Sequence, residues 1–157
     1  IIKKWRWGSD GENDIYLDVE SRKNSITYRG NLSRLVDQLI MENNFNEAER
    51  ILDYCMQKLP IDKFGYYTLL EPFIGSYYRL NSPEKARKIF DEIAVKYQEN
   101  LFYYSTFSNS AKNRYAEEIY TDIERYRSLV DVLINFEEEE FLDTRMKEFN
   151  DYLDLFL

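Results

Sequence analysis

The feature that most constrains this chain is the spacing of its apolar residues, which return at helical intervals over most of its 157 residues. From Asn31 onward they recur at steps of three and four, which places them on one face of a helix and argues against strands. The chain has 5 Gly and 3 Pro against 44% hydrophobic residues, a composition typical of a packed fold and not of disorder. The pattern predicts an all-α fold of about six helices.

The first two apolar stripes predict a helical hairpin. The first helix ends at a polar loop over residues 42–45, and Asn46 is expected to cap the second helix, which Pro60 closes. Ten residues are predicted to form the facing sides of this pair: Leu32, Leu35, Val36, Leu39, Ile40, Ala48, Ile51, Leu52, Cys55 and Leu59.

A second pair of helices follows the first. One helix is expected over residues 67–79, where Pro72 either kinks it or starts its regular part. Ser82 and Pro83 have the residue types of a cap and a first helical position, and they start a helix that runs on towards Phe107. Its predicted inner face consists of Ala86, Ile89, Phe90, Ile93 and Tyr97.

Two more stripes predict the C-terminal helices, after a break at residues 108–110. Their members recur at steps of three and four: Tyr115, Ile119, Ile123, Tyr126, Val130 and Leu133 in the first, and Leu142, Met146, Phe149, Leu153 and Phe156 in the second.

We expect one domain, since 157 residues fit a single core. Residues 1–28 are predicted to be an irregular arm whose Trp5 and Trp7 dock on the helices. Residues 29–157 are predicted to form a single helical-repeat domain. It would contain hairpin repeats at 29–60 and 66–98 and C-terminal helices within 109–157.

The residue types argue against catalysis. The chain has no histidine, so the commonest general base and the imidazole metal ligand are both missing. Its one cysteine, Cys55, excludes an internal disulfide and a thiolate zinc cluster, and we expect it to be unreactive. A hydrolase that uses paired carboxylates stays open on composition, although no such pair stands out. We predict no catalytic residue, no cofactor and no metal.

The negative charge of the chain is concentrated at its C-terminal end. The net charge is −8, and residues 109–157 alone contain six Lys/Arg against thirteen Asp/Glu, a net charge of −7. Nucleic acids and anionic membrane surfaces attract basic proteins, so neither is an expected partner. No stretch approaches the roughly 18 apolar residues of a membrane span.

Three further features have both a functional and a structural interpretation. The alternating carboxylates of residues 10–14 are spaced like calcium ligands, but Ile15 stands where the loop needs glycine, and a polar turn is the better interpretation. The acidic run 137–140 could bind a basic partner, although complementing the dipole of the helix it opens is favoured. The stripe within 142–156 could form a homodimer, and packing on the preceding helix is the simpler alternative.

The repeat resembles the tetratricopeptide repeat, in which helix B opens with an alanine and a proline ends the unit. The matching positions are Leu32, Leu35, Val36, Leu39, Ala48, Leu52, Cys55 and Pro60, then Phe73, Ile74, Tyr77, Ala86, Phe90 and Ile93. The second copy lacks the closing proline, and its spacing exceeds the usual period of about 34 residues. Because at least three repeats are usually needed, the last two helices are expected to cap the array.

A further set of segments runs through most of the chain. It consists of Trp7-Gly8, Tyr16 to Asp18, Arg29 to Leu35, Leu52 to Met56, Tyr66-Tyr67 and Tyr77-Tyr78. Together they resemble the soluble C-terminal region of a family of large bacterial membrane proteins whose multi-spanning N-terminal part is similar to protein O-mannosyltransferases. The resemblance implies an extramembrane tail on the periplasmic side, without glycosyltransferase residues of its own. Because the chain begins with Ile1 and not Met, we expect it to be part of a longer protein.

These observations favour a binding function. If the repeats form a concave face, the helix-A positions that do not serve the core would line it: Ser33, Asp37, Met41, Glu71, Tyr78 and Arg79. The expected ligand is a protein or peptide, or the membrane portion of the parent protein. Two alternatives stay open, namely an accessory part that presents an acceptor to a glycosyl-transfer site elsewhere in the parent, and a purely structural cap.

Overall fold

A computed structural model describes residues 16–136 and 139–157 of the protein. Over these residues the fold is helical and contains no strand, which confirms the all-α class. The elements are α1 (Val19–Met41), α2 (Phe45–Lys58), α3 (Ile61–Phe64), a 3-10 helix (Tyr67–Leu70), α4 (Glu71–Arg79), α5 (Pro83–Ser105), α6 (Asn109–Arg114), α7 (Ala116–Ile134) and α8 (Glu139–Leu153). None of the helices in this described part is long and apolar enough to cross a membrane.

The chain divides into two compact units, Ile1–Ser76 (unit 1) and Tyr77–Leu157 (unit 2). In unit 1, α1 and α2 pack against each other as the predicted hairpin. Asn43 in their connection has φ 58°, a left-handed conformation that asparagine tolerates better than most residues. The predicted stripes are confirmed at their centres, where the buried apolar residues are Leu32, Val36, Ala48, Ile51, Leu52, Cys55 and Leu59.

Prolines separate the remaining elements of unit 1. Pro60 is the residue before α3, and Pro72 is the second residue of α4, directly after the 3-10 helix. The missing N–H of a proline is tolerated in the first turn of a helix, where that group has no intrahelical partner. Pro72 therefore starts the regular part of the helix and does not kink it, which decides between the two alternatives for this residue.

The core of unit 2 forms where α5 packs on α7 and α7 packs on α8. The predicted inner face of α5 is confirmed, since all five of its residues are buried. Tyr97 of α5 and Tyr126 of α7 are stacked with ring centroids 6.0 Å apart. The amide of Gln98 donates a hydrogen bond to Tyr126 Oη at 2.7 Å, and burial raises the pKa of Tyr126 to about 12.

The N-terminal boundary of the helical region was predicted incorrectly. The arm was expected to extend to residue 28, but α1 begins at Val19, where the Asp18 carboxylate accepts a hydrogen bond from Ser21 N at 2.9 Å. This cap satisfies a backbone N–H that has no partner within the helix. Residues 1–15, including Trp5 and Trp7, lie outside the described residues.

Three other boundaries also differ from the prediction. Asn44 and not Asn46 occupies the N-cap position of α2. The expected helix over 67–79 is divided into the 3-10 helix and α4, and the long helix expected after residue 109 is divided at Tyr115 into α6 and α7. Together with the short α3, which was not expected, this gives eight α-helices instead of six in the described part.

Within the range 29–157 that was predicted as one domain, the chain divides into two compact units between Ser76 and Tyr77, and the single domain stays a prediction. With 23 residues, α5 is about 35 Å long, and its main neighbours within unit 2 are the long helices α7 and α8. The expected hairpin over 66–98 leaves these partners out. The tetratricopeptide-like repeat itself stays a prediction.

Candidate functional site

Three of the six predicted binding residues lie along one helix of unit 1. Ser33, Asp37 and Met41 are four residues apart on α1, so they follow one another along a single face. Ser33 and Asp37 are half-buried, and Met41, the last residue of the helix, is 70% exposed. These three residues therefore share one face of α1, whose exposure increases towards the C-terminal end of the helix, and their role in binding stays a prediction.

The other three candidates lie on α4. Glu71 is its first residue, half-buried within unit 1. Tyr78 and Arg79 are the last two residues of the helix and belong to unit 2. The ring of Tyr78 is stacked on Phe136 with centroids 4.6 Å apart, so it already takes part in packing. Arg79 is exposed.

Unit 1 contains a buried cation that the sequence analysis did not identify. Arg29 of α1 is fully buried, and its guanidinium donates hydrogen bonds to three backbone carbonyls. Nη2 donates to Leu59 O at 2.7 Å, and Nη1 donates to Gly65 O at 2.6 Å and Tyr66 O at 3.2 Å. Gly65 and Tyr66 both have positive φ, 65° and 47°. Arg29 therefore connects α1 to the residues on either side of α3, between α2 and the 3-10 helix.

The surroundings of Arg29 indicate a structural role. Burial lowers its pKa from the ordinary value, because a low-dielectric interior disfavours the charged form. The charge is stabilised by carbonyl dipoles, and Nε is buried without a hydrogen-bond partner among the described residues. The signal that could have identified Arg29 is its position, since Ser25, Arg29, Leu32 and Val36 are the buried residues of α1.

Cys55 behaves as the sequence predicts. It is fully buried in α2, and burial raises its pKa to about 12, although the nearby charge of Arg29 acts in the opposite direction. A thiol with so high a pKa has almost no thiolate at neutral pH, so it is unreactive.

The α8 stripe packs within unit 2. Phe149 is buried, and its ring meets Tyr126 of α7 edge to face at 5.2 Å. Arg145 pairs with Asp91 of α5 at 2.8 Å, and its guanidinium lies 4.7 Å from the ring centroid of Phe141. The packing of α8 on α7 agrees with the simpler of the two alternatives for residues 142–156. A homodimer through this segment stays a prediction that was not favoured.

Among the described residues, a partly exposed concentration of aromatic side chains lies where α5 ends and α7 begins. We call Tyr103, Tyr104, Phe107 and Tyr115 the aromatic cluster. Their ring centroids are 4.9 Å apart for Tyr103–Phe107, 5.7 Å for Tyr104–Phe107, 5.5 Å for Phe107–Tyr115 and 6.2 Å for Tyr104–Tyr115. Tyr103 is 62% and Tyr115 39% exposed, while the other two are half-buried. The rings therefore support one another and still present area to solvent.

Acidic side chains stand beside the aromatic cluster. Burial raises the pKa of Tyr104 first, and the charges of Asp122 and Glu118 raise it further, so both carboxylates are close enough to act on that ring. Asp122 is largely buried and accepts a hydrogen bond from Asn100 Nδ2 at 3.1 Å. Burial raises the pKa of Asp122 as well. Arg125, one turn further along α7, partly offsets this effect.

The aromatic cluster was not predicted as a site from the sequence, although Phe107 and Tyr115 were used to place predicted helices. A signal was present in residues 101–107, which contain four aromatic residues just before a predicted helix break. Whether such rings are covered depends on where the neighbouring helix starts. Because α7 starts only at Ala116, these rings are left partly exposed.

The structure offers little for a metal. In residues 16–136 and 139–157 no group of three or more Cys, Asp or Glu side chains is arranged to hold an ion. The carboxylates of residues 10–14 lie outside these ranges, as do Glu137 and Glu138 of the acidic run. Glu139 and Glu140 form the first turn of α8, where acidic side chains complement the helix dipole.

Comparisons with known proteins leave the site to be interpreted from its own geometry. No family model, no curated protein and no solved structure matches the chain significantly.

Proposed function

We propose that this chain is a protein-binding module and that the aromatic cluster of unit 2 is its main docking surface. The observation that carries the proposal is the exposure of connected rings: Tyr103 is 62% exposed while it contacts Tyr104 and Phe107. Aromatic residues are enriched at the energetic centres of protein interfaces because they bury much area with few rotatable bonds.

The arrangement of the rings favours binding over simple packing at a core boundary. A boundary tyrosine keeps its ring covered and only its hydroxyl in water, whereas more than half of Tyr103 faces solvent. Covering apolar surface is worth about 25 cal/mol per Å². Because the four rings hold one another in place, a partner would lose little free energy in ordering them.

The exposed face of α1 is a second region that a partner could contact. Met41 is 70% exposed at its end, and methionine adapts its shape to different apolar partners. Ser33 and Asp37 precede it on the same face. We include these residues as secondary contacts of unit 1, because they lack the connected rings of the aromatic cluster.

The resemblance of the chain suggests where its partner is found. If the chain is the periplasmic tail of a membrane protein similar to O-mannosyltransferases, the membrane-embedded portion of that protein is the first partner to test. In this view the chain docks on the parent and contributes no catalytic residue, consistent with a sequence that has no histidine.

A capture experiment tests the proposal. The chain serves as bait for detergent-solubilised membranes and for soluble extract from its own source. It is compared with Tyr103→Ser/Tyr115→Ser, which we call the cluster variant, and with Tyr120→Ser as the control. Tyr120 is 64% exposed on α7 and has no ring contact with the cluster. Serine suits position 115 because this residue is the N-cap of α7.

We expect that the wild-type chain and the Tyr120→Ser control both capture the same protein. The cluster variant should fail to capture it. If the parent's membrane portion is that protein, the docking role is supported as well. Equal capture by the wild-type chain and the cluster variant, or no specific capture by any of them, would overturn the assignment of the aromatic cluster.

A further inference from the structure

Several aromatic rings of unit 2 have a cation beside them. Four rings outside the aromatic cluster have one at 4.7–5.9 Å: Phe141 has Arg145 and Arg87, Phe149 has Arg127, Phe156 has Lys112 and Tyr77 has Lys85. Among the described residues, no cation is placed over any ring of the aromatic cluster. The ring faces of Tyr103 and Tyr115, which are 62% and 39% exposed, are therefore not covered by a cation of the described residues.

The open rings also face negative charge. Glu118 and Asp122 are four residues apart on α7, so their side chains share one face of this helix, and Tyr115 is the N-cap residue directly before its first turn. The hydrogen bond from Asn100 to Asp122 joins this face of α7 to α5 one turn before Tyr104. The pKa of Tyr104 is raised first by burial and then by the charges of Asp122 and Glu118. The face of an aromatic ring also has a partial negative charge, and it attracts cations.

A surface that combines exposed ring faces with carboxylates favours a positively charged ligand. A cationic group gains from both, whereas an anionic group is repelled by both. Residues 109–157, which include Tyr115, Glu118 and Asp122, have a net charge of −7, and this charge increases the rate at which a cationic partner approaches.

We propose that the aromatic cluster binds an arginine- or lysine-bearing segment of a partner protein, with a cationic side chain over the rings of Tyr103 and Tyr115 and facing the exposed Glu118, while the largely buried Asp122 adds negative charge nearby. The proposal rests on the protein-binding function above and specifies the chemistry of the partner. Arginine fits better than lysine, because its planar guanidinium can stack on a ring while it donates to a carboxylate.

A titration with synthetic peptides tests the inference. The probe is a fluorescein-labelled peptide of alternating arginine and serine, and its control replaces each arginine by citrulline, which has nearly the same shape and no charge. Binding is followed by fluorescence anisotropy with the whole chain at about 150 mM salt, where surface charges are screened within about 8 Å. The arginine peptide is expected to bind at least about tenfold more tightly than the citrulline peptide.

Single substitutions separate this site from the general negative charge of the chain. Glu118→Gln is expected to weaken binding of the arginine peptide several-fold, and the cluster variant to abolish it. Glu117→Gln changes the net charge equally, but adjacent residues point about 100° apart on a helix, so this control should bind like the wild-type chain. Tyr120→Ser should also leave binding unchanged.

The possible outcomes distinguish the inference from the function on which it rests. Equal affinity for arginine and citrulline peptides, or equal weakening by Glu117→Gln and Glu118→Gln, overturns the inference. If a captured protein still depends on the aromatic cluster in that case, the binding function stands without it. Self-association that the cluster variant abolishes would identify a second copy as the occupant, and it too would overturn the inference.

Discussion

The two units place their most unusual side chains in opposite environments. Unit 1 buries a cation, Arg29, and surrounds it with three backbone carbonyls. Unit 2 leaves the rings of the aromatic cluster in contact with solvent. A buried charge needs hydrogen-bond partners from within the fold. A cluster of exposed rings adds little to folding stability and marks a surface where another molecule binds. The comparison therefore assigns a structural role to Arg29, although its environment is the more unusual one, and a binding role to the tyrosines of the aromatic cluster.

The largest effect should come from removing a buried ring. Phe90 of α5 is fully buried and meets Phe141 edge to face at 5.5 Å. Phe90→Ala should lower the free energy of unfolding by about 3–5 kcal/mol, because it removes buried area and leaves a cavity. Phe102→Ala, on the same helix but 62% exposed, should change it by about 0.5 kcal/mol or less. Urea denaturation followed by circular dichroism measures both, and equal losses would refute the distinction between covered and open rings.

The next effect concerns the buried cation. Arg29→Met keeps a long side chain but removes the donors to Leu59, Gly65 and Tyr66, and we expect a loss of about 2–4 kcal/mol. Hydrogen exchange should become faster in residues 59–66. Arg34→Met, an exposed position on the same helix, is the control. If Arg29→Met were as stable as this control, the structural role of Arg29 would be wrong.

The sequence predicted the centres of the packed elements better than their ends. The stripes of α2 and α5 are buried as expected, because apolar residues at helical spacing lie on one face of a helix and that face packs against the core. The start of α1 was missed because Ser25 and Arg29, two of its buried residues, are polar and break the apolar pattern. The aromatic cluster was missed because a stripe shows which face is apolar and not how far the covering helix extends.

A smaller effect should distinguish the partly buried carboxylate of Asp122 from an exposed one. Its folded-state pKa is raised by burial, so the folded protein binds more protons than the unfolded chain, and stability falls as pH rises from about 3.9 through the raised value. Asp122→Asn should remove this part of the pH dependence and be up to about 1 kcal/mol more stable at pH 7.

Denaturation between pH 4 and 7 measures this difference. Asp131→Asn, on the exposed side of the same helix, should follow the wild-type profile. A destabilisation by Asp122→Asn that does not depend on pH would show that the hydrogen bond from Asn100 matters more than the cost of burying the charge.

The smallest effect on stability is expected at the aromatic cluster itself. Tyr103→Ser removes two ring contacts of a largely exposed side chain, and we expect a loss below about 1 kcal/mol. Thermal unfolding of this variant beside the wild-type chain checks the value. A loss as large as that of Phe90→Ala would mean that Tyr103 serves the fold, and the comparison between the units would no longer hold.

Site-specific photo-crosslinking tests the central claim most directly. A benzoylphenylalanine residue is placed at position 103, in the aromatic cluster, or at position 120, an equally exposed tyrosine of the same unit, and each chain is irradiated with extract and membranes from its source. Our account predicts a discrete adduct with one protein from position 103 and none from position 120. Equal adducts from both positions, or an adduct from position 120 alone, would contradict it.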